Sequence, residues 1–260
     1  MPRAHSLGAV RARLEQDRVW AAFSLADLEP EHRPYTHWFT GSGPDALVLV
    51  YRRFDPPIVF CQGGAHDVGA ILDEPEVAFL TASAHFNVMP SLEPTVRARF
   101  RVFQARPMVR MVMPASGLDI PSASHMRGGE PTLERLWPSD LSDVLALYAD
   151  EPPGFFLPFL LDAGVYYGVR DKGVLVAIAG THVISTAYGV GTIGNVHTRP
   201  DYRRRGLAAA LTLAVAHELC RMGASTVVLN VVADNRVARR VYTRIGFEEY
   251  CGYLDGNATR

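Results

Sequence analysis

A basic, glycine-containing turn is the part of the sequence whose residue types are best suited to chemistry. Residues 196–208 read Val-His-Thr-Arg-Pro-Asp-Tyr-Arg-Arg-Arg-Gly-Leu-Ala, which predicts a strand end, a turn and a helix start. Outward-pointing N–H groups and the positive end of a helix dipole can bind a pyrophosphate without a lysine. Gly206 lacks a Cβ and allows a ligand to approach the backbone closely. The alternative is that Arg203–Arg205 form a solvated surface cluster.

A second pair of candidate residues lies on the helix predicted after the next strand. Asn235 and Tyr242 are seven positions apart, which is two helical turns, so they share one face of that helix. Each also has an ordinary structural interpretation. Asn235 is a good helix cap, and Tyr242 is able simply to bury its ring.

These two segments together resemble a known family. The pattern Arg203-x-x-Gly206-x-Ala208 is similar to the Arg/Gln-x-x-Gly-x-Gly/Ala signature of the GCN5-related N-acetyltransferase (GNAT) superfamily. Twenty-seven residues after Ala208 begins the stretch 235–247, Asn-x-x-Ala-x-x-x-Tyr-x-x-x-Gly-Phe, which resembles the family's second signature. The resemblance covers roughly residues 130–254, and the local sequence is most similar to the FR47-like branch.

The resemblance implies an α/β (α+β) fold with a mixed central sheet flanked by helices. It also implies acetyl-CoA as cosubstrate and direct transfer of an acetyl or other acyl group to a primary amine within a ternary complex. The segment Val196, His197 and Thr198 would bind the donor, through the backbone of Val196 and Thr198. Asn235 would lie near the pantetheine arm. The loop implied for the pyrophosphate comprises Arg203, Arg204, Arg205, Gly206, Leu207 and Ala208.

Tyr242 is the catalytic residue that the resemblance implies, as the proton donor to the departing sulfur. A thiol has a pKa of about 8.5 and a phenol about 10, which is close enough for proton transfer as charge develops on sulfur.

The general base is not apparent from the sequence. Many family members have a Glu about six residues before the position of Thr198, whereas this sequence has Thr192, and residues 189–198 contain no carboxylate. His197 and His182 are alternatives, although strand alternation puts His197 on the face opposite Thr198. A water relay or an amine that arrives unprotonated also remains open.

Elements that would position these residues can be predicted over the second half. Strands are expected at 164–170, 173–185, 189–198 and 225–232, with helices over 140–149, 154–162, 205–221 and from 235 to 244. Gly223 and Gly246 are expected to end the last two helices.

The first half has a similar order of elements without the signature. A helix over 8–23, hairpin strands at 46–52 and 57–61, a helix at 67–72 and strands at 77–81 and 107–113 are predicted. Residues 114–131 are rich in Pro, Gly and Ser and predict a linker. The prediction is therefore two domains. Residues 1–125 are expected to form a degenerate GNAT-like or acceptor-recognition domain, and residues 126–260 the GNAT domain. In the first domain the junction at Gly63-Gly64 occupies the place of the loop, where a packing or acceptor-recognition role is favoured over phosphate binding.

Composition excludes several other classes. The 26 basic and 27 acidic residues give a net charge of −1, which argues against a nucleic-acid partner despite the arginine clusters. No apolar stretch is long enough to span a membrane, and His and Cys are too scattered for a metal site. Three separated cysteines favour reduced thiols and a cytoplasmic location. The acceptor and the oligomeric state, a homodimer included, stay open. The alternative function is a CoA-binding regulatory or sensor module without turnover.

Overall fold

The computed structural model describes residues 6–114, 132–149, 151 and 155–260. The chain forms two compact units, and neither is one continuous stretch. The first comprises Met1–Arg110, Val231–Asn235 and Tyr250–Arg260, and the second comprises Met111–Asn230 and Arg236–Glu249. The predicted linker and its boundary near 125 lie outside the described residues, apart from Pro114.

The first unit has a mixed sheet in the order β1-β2-β3-β4-β11-β5. Its strands are β1 (Thr36–Thr40), β2 (Leu47–Tyr51), β3 (Ile58–Gln62), β4 (Ser83–Val88), most of β5 (Arg101–Met113) and most of β11 (Glu248–Thr259). The first three strands are antiparallel, β4 runs parallel to β3, and β11 runs antiparallel to β4. The helices are α1 (Leu7–Leu14), α2 (Ala22–Ala26), α3 (Ala65–Leu72), α4 (Pro75–Leu80) and α5 (Glu93–Arg97).

The second unit has a mixed sheet in the order β10-β9-β8-β7-β6. Its strands are β6 (Leu133–Arg135), β7 (Tyr167–Asp171), β8 (Val174–Ser185), β9 (Val190–Thr198) and β10 (Thr226–Val232). Strands β6 to β9 are antiparallel, and β10 runs parallel to β9. The helices are α6 (Leu141–Tyr148), α7 (Leu160–Ala163), α8 (Leu207–Arg221) and α9 (Arg236–Arg244), and α6 and α8 both pack on β8.

The mixed sheets flanked by helices confirm the predicted fold class. In α8 the expected stripe is buried at Leu207, Leu211, Val215 and Leu219. Gly223 and Gly246 follow α8 and α9 with φ of 98° and 97°, the left-handed conformation in which glycine carries no Cβ penalty.

Three predicted elements of the sequence are wrong in detail. Residues 77–81 are not a strand, because helix α4 begins at Pro75 and exposes 81% of Phe79. The strand is β4, in which alternate residues are buried. The helix predicted over 8–23 ends at Leu14, and α2 is a separate helix. Among the described residues from 155 onward, the helix predicted over 154–162 begins only at Leu160, in α7, after Pro158, which has no N–H to donate.

Candidate functional site

The loop between β9 and α8 has the conformation of an open N-terminal anion site. Gly206 has φ 80° and Arg204 φ 65°, so both adopt the left-handed region. No atom lies within 4 Å of a Cβ placed on Gly206. The first helical bond in the described structure joins the Ala210 N–H to the Gly206 carbonyl (3.1 Å), which leaves the preceding N–H groups to point out of the helix start. Leu207 is buried and anchors the helix.

The three arginines of this loop have different environments. Arg203 donates to the Thr198 carbonyl (3.0 Å) and to the Glu151 carboxylate, so its guanidinium joins the loop to the end of β9. Arg205 donates to the Asp201 carbonyl (2.9 Å) and lies over the Tyr202 ring (4.7 Å). Arg204 is exposed. The loop therefore presents backbone amides and positive charge together.

Strand β9 leaves its parallel neighbour before it reaches the loop. The ladder with β10 ends at Ile193↔Leu229, whereas pairing with β8 continues to Thr198. The described structure gives no hydrogen-bond partner to the buried Thr198 Oγ1. A splayed strand end with an orphaned hydroxyl beside an anion-binding loop suits an extended, phosphate-bearing ligand.

Tyr242 is buried in α9, with 8% of its surface exposed. Its ring packs edge-on against Phe247, with ring centroids 6.3 Å apart. Burial raises the pKa of Tyr242 to about 12, so the phenol is protonated at neutral pH. Asn235 is exposed and directly precedes α9, and its N–H donates to the Val232 carbonyl (3.0 Å).

His197 is half-buried at the end of β9. Its Nδ1 is 3.8 Å from the Glu151 carboxylate, and its ring packs edge-on against Tyr148 at 5.8 Å between centroids. Burial lowers the pKa of His197, against the raising effect of Glu151, and Arg203 and Arg199 lower it further. The ring is therefore mainly neutral at pH 7 and able to accept a proton.

Thr192, at the position of the family's Glu, and His182, the other histidine considered as a base, are both engaged in the structure. Thr192 is buried, and its hydroxyl accepts the Val183 N–H (3.1 Å). His182 Nε2 lies 3.3 Å from Asn195 Oδ1, and burial lowers the pKa of His182 to about 4. Glu151, which is bonded to Arg203 and near His197, was missed by the sequence analysis because only the fold brings it to β9.

The described residues contain no group of His, Cys, Asp or Glu side chains that could hold a metal ion. Among the same residues, no helix is both long and apolar enough to cross a bilayer. All three cysteines are unpaired.

Comparisons with known proteins define the class. Residues 166–254 match the family described as FR47-like protein. A putative acetyltransferase of the GNAT family from Novosphingobium aromaticivorans is 28% identical, with a TM-score of 0.51, over 62% of this chain and 67% of its own. These matches support membership of the GNAT superfamily.

A sequence relative and a solved structure extend the likeness over most of the chain. A mycothiol acetyltransferase of Catenulispora acidiphila is 30% identical over 211 residues, 78% of this chain and 62% of the relative, so the chain spans less than two thirds of that protein. The GCN5-related N-acetyltransferase from Kribbella flavida shares the fold, with a TM-score of 0.62 at 19% identity, over 92% of this chain and 95% of its own.

Proposed function

We propose that this protein is an N-acyltransferase that moves an acetyl group from acetyl-CoA to a primary amine by direct attack in a ternary complex. The observation that carries the proposal is the β9–α8 loop, where an open Gly206 and the first amides of α8 form an anion site at the end of a splayed strand. A pyrophosphate linked to an extended arm fits this combination.

The residues present are suited to the donor. The amides from Arg204 to Ala208 would bind the pyrophosphate, and the backbone of Val196 and Thr198 would lie along the pantetheine and thioester. Asn235 is proposed near the pantetheine arm. When bound, acetyl-CoA supplies an activated acyl carbon, and the remaining chemistry is positioning and proton transfer.

We assign proton donation to Tyr242. The new C–N bond forms as the C–S bond breaks, and the leaving sulfur takes a proton from the phenol. The raised pKa keeps that proton on oxygen until charge develops on sulfur.

We assign removal of the amine proton to His197. Its lowered pKa keeps the imidazole neutral at pH 7, and Glu151 at 3.8 Å can stabilise the imidazolium that forms. An amine that arrives unprotonated would lose only the proton released on attack.

The acceptor is proposed to be a primary amine of a small molecule, an amino acid or a protein. We propose residues 126–260 as the catalytic domain and residues 1–125 as a degenerate GNAT-like or acceptor-recognition domain. Unpaired cysteines favour a cytoplasmic location.

The experiment is incubation with acetyl-CoA and a panel of amines while free thiol is followed. Acceptor-dependent thiol release is the expected result. Tight CoA binding without thiol release for any amine would favour a regulatory CoA-binding module, an alternative motivated by the absence of a carboxylate along β9.

A further inference from the structure

The segment of β9 that follows the splay contains a β-bulge at Asn195. The β8–β9 register passes from Gly180↔Gly194 to Ile178↔His197, so one residue of β8 faces two of β9, Asn195 and Val196. Asn195 has φ 55°, in the left-handed region that non-glycine residues seldom adopt. Such a conformation needs support from its surroundings.

Buried hydrogen bonds to Asn195 provide that support. The Tyr148 hydroxyl donates to the Asn195 backbone carbonyl (2.7 Å). The Asn195 Nδ2 donates to the Tyr166 hydroxyl (2.8 Å), which itself donates to the Thr181 carbonyl (2.8 Å). Asn195 is only 6% exposed, so its peptide and its side chain are both held from the protein interior.

Two glycines create the space that this network occupies. A Cβ on Gly180 would lie 2.1 Å from the Tyr166 ring, and a Cβ on Gly194 would lie 2.1 Å from His182 Nε2. Any side chain at either position would displace a ring that bonds Asn195. The aromatic residues and the glycines therefore form one packed unit around the bulge.

The network stays uncharged at neutral pH. Burial raises the pKa of Tyr148 and of Tyr166 above the ordinary phenol value, and burial holds His182 neutral. The hydrogen bonds of this network should therefore change little between pH 6 and 9, whereas His197 can change its protonation state at acidic pH.

We propose that Tyr148, Tyr166 and Asn195 are positioning residues, which hold the bulge so that the backbone of Val196 and Thr198 faces the acyl end of the donor. The inference rests on the proposed function. The loop at Gly206 would bind the nucleotide end, whereas this network would align the thioester end. Loss of the network should therefore affect the acetyl group and leave the pyrophosphate contacts intact.

The test uses Tyr148→Phe and Asn195→Gly, because glycine keeps the left-handed backbone and removes only the side-chain bonds. Tyr250→Phe is the matched control, since it also loses one 2.7 Å hydroxyl bond, to Asp17, in the first unit. Turnover, and the Kd values of acetyl-CoA and CoA by calorimetry, are measured for each. We expect turnover to fall about tenfold or more in both test variants, with the CoA Kd within about twofold. The acetyl-CoA to CoA affinity ratio should shift in the test variants and not in the control.

Wild-type turnover and an unchanged affinity ratio in a folded Tyr148→Phe or Asn195→Gly protein would overturn the inference. A parallel loss of CoA affinity and thermal midpoint would also overturn it, because that indicates a merely structural role. If the wild type binds CoA but acetylates no amine, the proposed function fails while the affinity ratio still tests the positioning role.

Discussion

The two units each contain a strand–turn–helix junction in the same topological place, and only one has the properties of an anion site. In the second unit β9 leads through the loop 199–206 to α8, and in the first unit β3 leads through Gly63 and Gly64 to α3. Both strands have a parallel neighbour, β10 or β4. The shared topology is therefore insufficient to make a phosphate site.

The difference lies in space and charge. A Cβ on Gly63 would lie 2.6 Å from the Ala46 backbone, so this left-handed glycine serves close packing, whereas Gly206 faces open space. The first turn of α3 contains the carboxylate of Asp67, which already complements the helix dipole. The first turn of α8 contains no acidic residue and follows three arginines.

The largest expected effect concerns Gly206. Gly206→Glu puts a side chain and a negative charge where the pyrophosphate is proposed, and we expect the CoA Kd to rise about 100-fold or more. Gly64→Glu is the matched control, because a Cβ there also meets nothing within 4 Å. Calorimetry should give unchanged affinity for Gly64→Glu and one CoA per chain.

Gly206→Ala separates backbone strain from charge at the same position, and it should weaken binding less than Gly206→Glu. If Gly64→Glu were the variant that lost CoA, the contrast between the two junctions would be reversed.

Tyr242→Phe should lower kcat about 100-fold and leave the CoA Kd within about twofold, because only the proton donor is lost. Steady-state kinetics and calorimetry measure the two quantities separately. Undiminished turnover would remove Tyr242 from the mechanism and leave His197 as the remaining assigned group of the second unit.

The pH dependence of kcat/KM should identify the base. A histidine must be neutral to accept a proton, and burial lowers the pKa of His197. Activity should therefore persist below the ordinary histidine pKa of about 6.5 and fall only at more acidic pH. This fall in kcat/KM at acidic pH should disappear in His197→Gln, and the overall rate should drop. If the fall in kcat/KM survives the substitution and its midpoint follows the pKa of the amine, the titrating group is the acceptor amine and not His197.

The smallest expected effect is on the pH dependence of folding stability, and it concerns His85 in the first unit. Its Nε2 lies 3.2 Å from Asp255 Oδ2, and its Nδ1 lies 3.0 Å from Asn257 Oδ1. The bond to Asp255 raises the pKa of His85 and outweighs the lowering by burial and by Arg106. The stabilisation of the folded state by protonated His85 should be complete below the pKa of His85 in the unfolded chain, about 6.5. It should be lost as pH rises through the raised pKa of His85 in the folded protein.

Denaturant unfolding at several pH values tests this prediction. His85→Gln should remove a pH-dependent part of stability of about 1 kcal/mol, with CoA affinity unchanged. A change in CoA affinity would instead link this cluster to the donor site.

Much of the second unit was predictable because its segments carry strong local signals. The apolar stripe of α8, the turn at Asp171–Gly173 and the glycines after α8 and α9 all appear as expected. The first unit was less predictable. Residues 77–81 are apolar enough for a strand, yet Pro75 favours a helix start, and the alternating burial belongs to β4 instead.

The sequence by itself determined the resemblance to the GNAT family and singled out the loop 203–208 and Tyr242 as candidates, because contiguous motifs preserve local backbone geometry. Only the tertiary structure decided which groups surround them. Glu151 lies 46 positions before His197, and Tyr148 lies 47 positions before Asn195. Their contacts arise from packing between helix and sheet, which no local spacing encodes. The two junctions differ in sequence in their charges, but only the surrounding atoms show that Gly63 is enclosed and Gly206 is open.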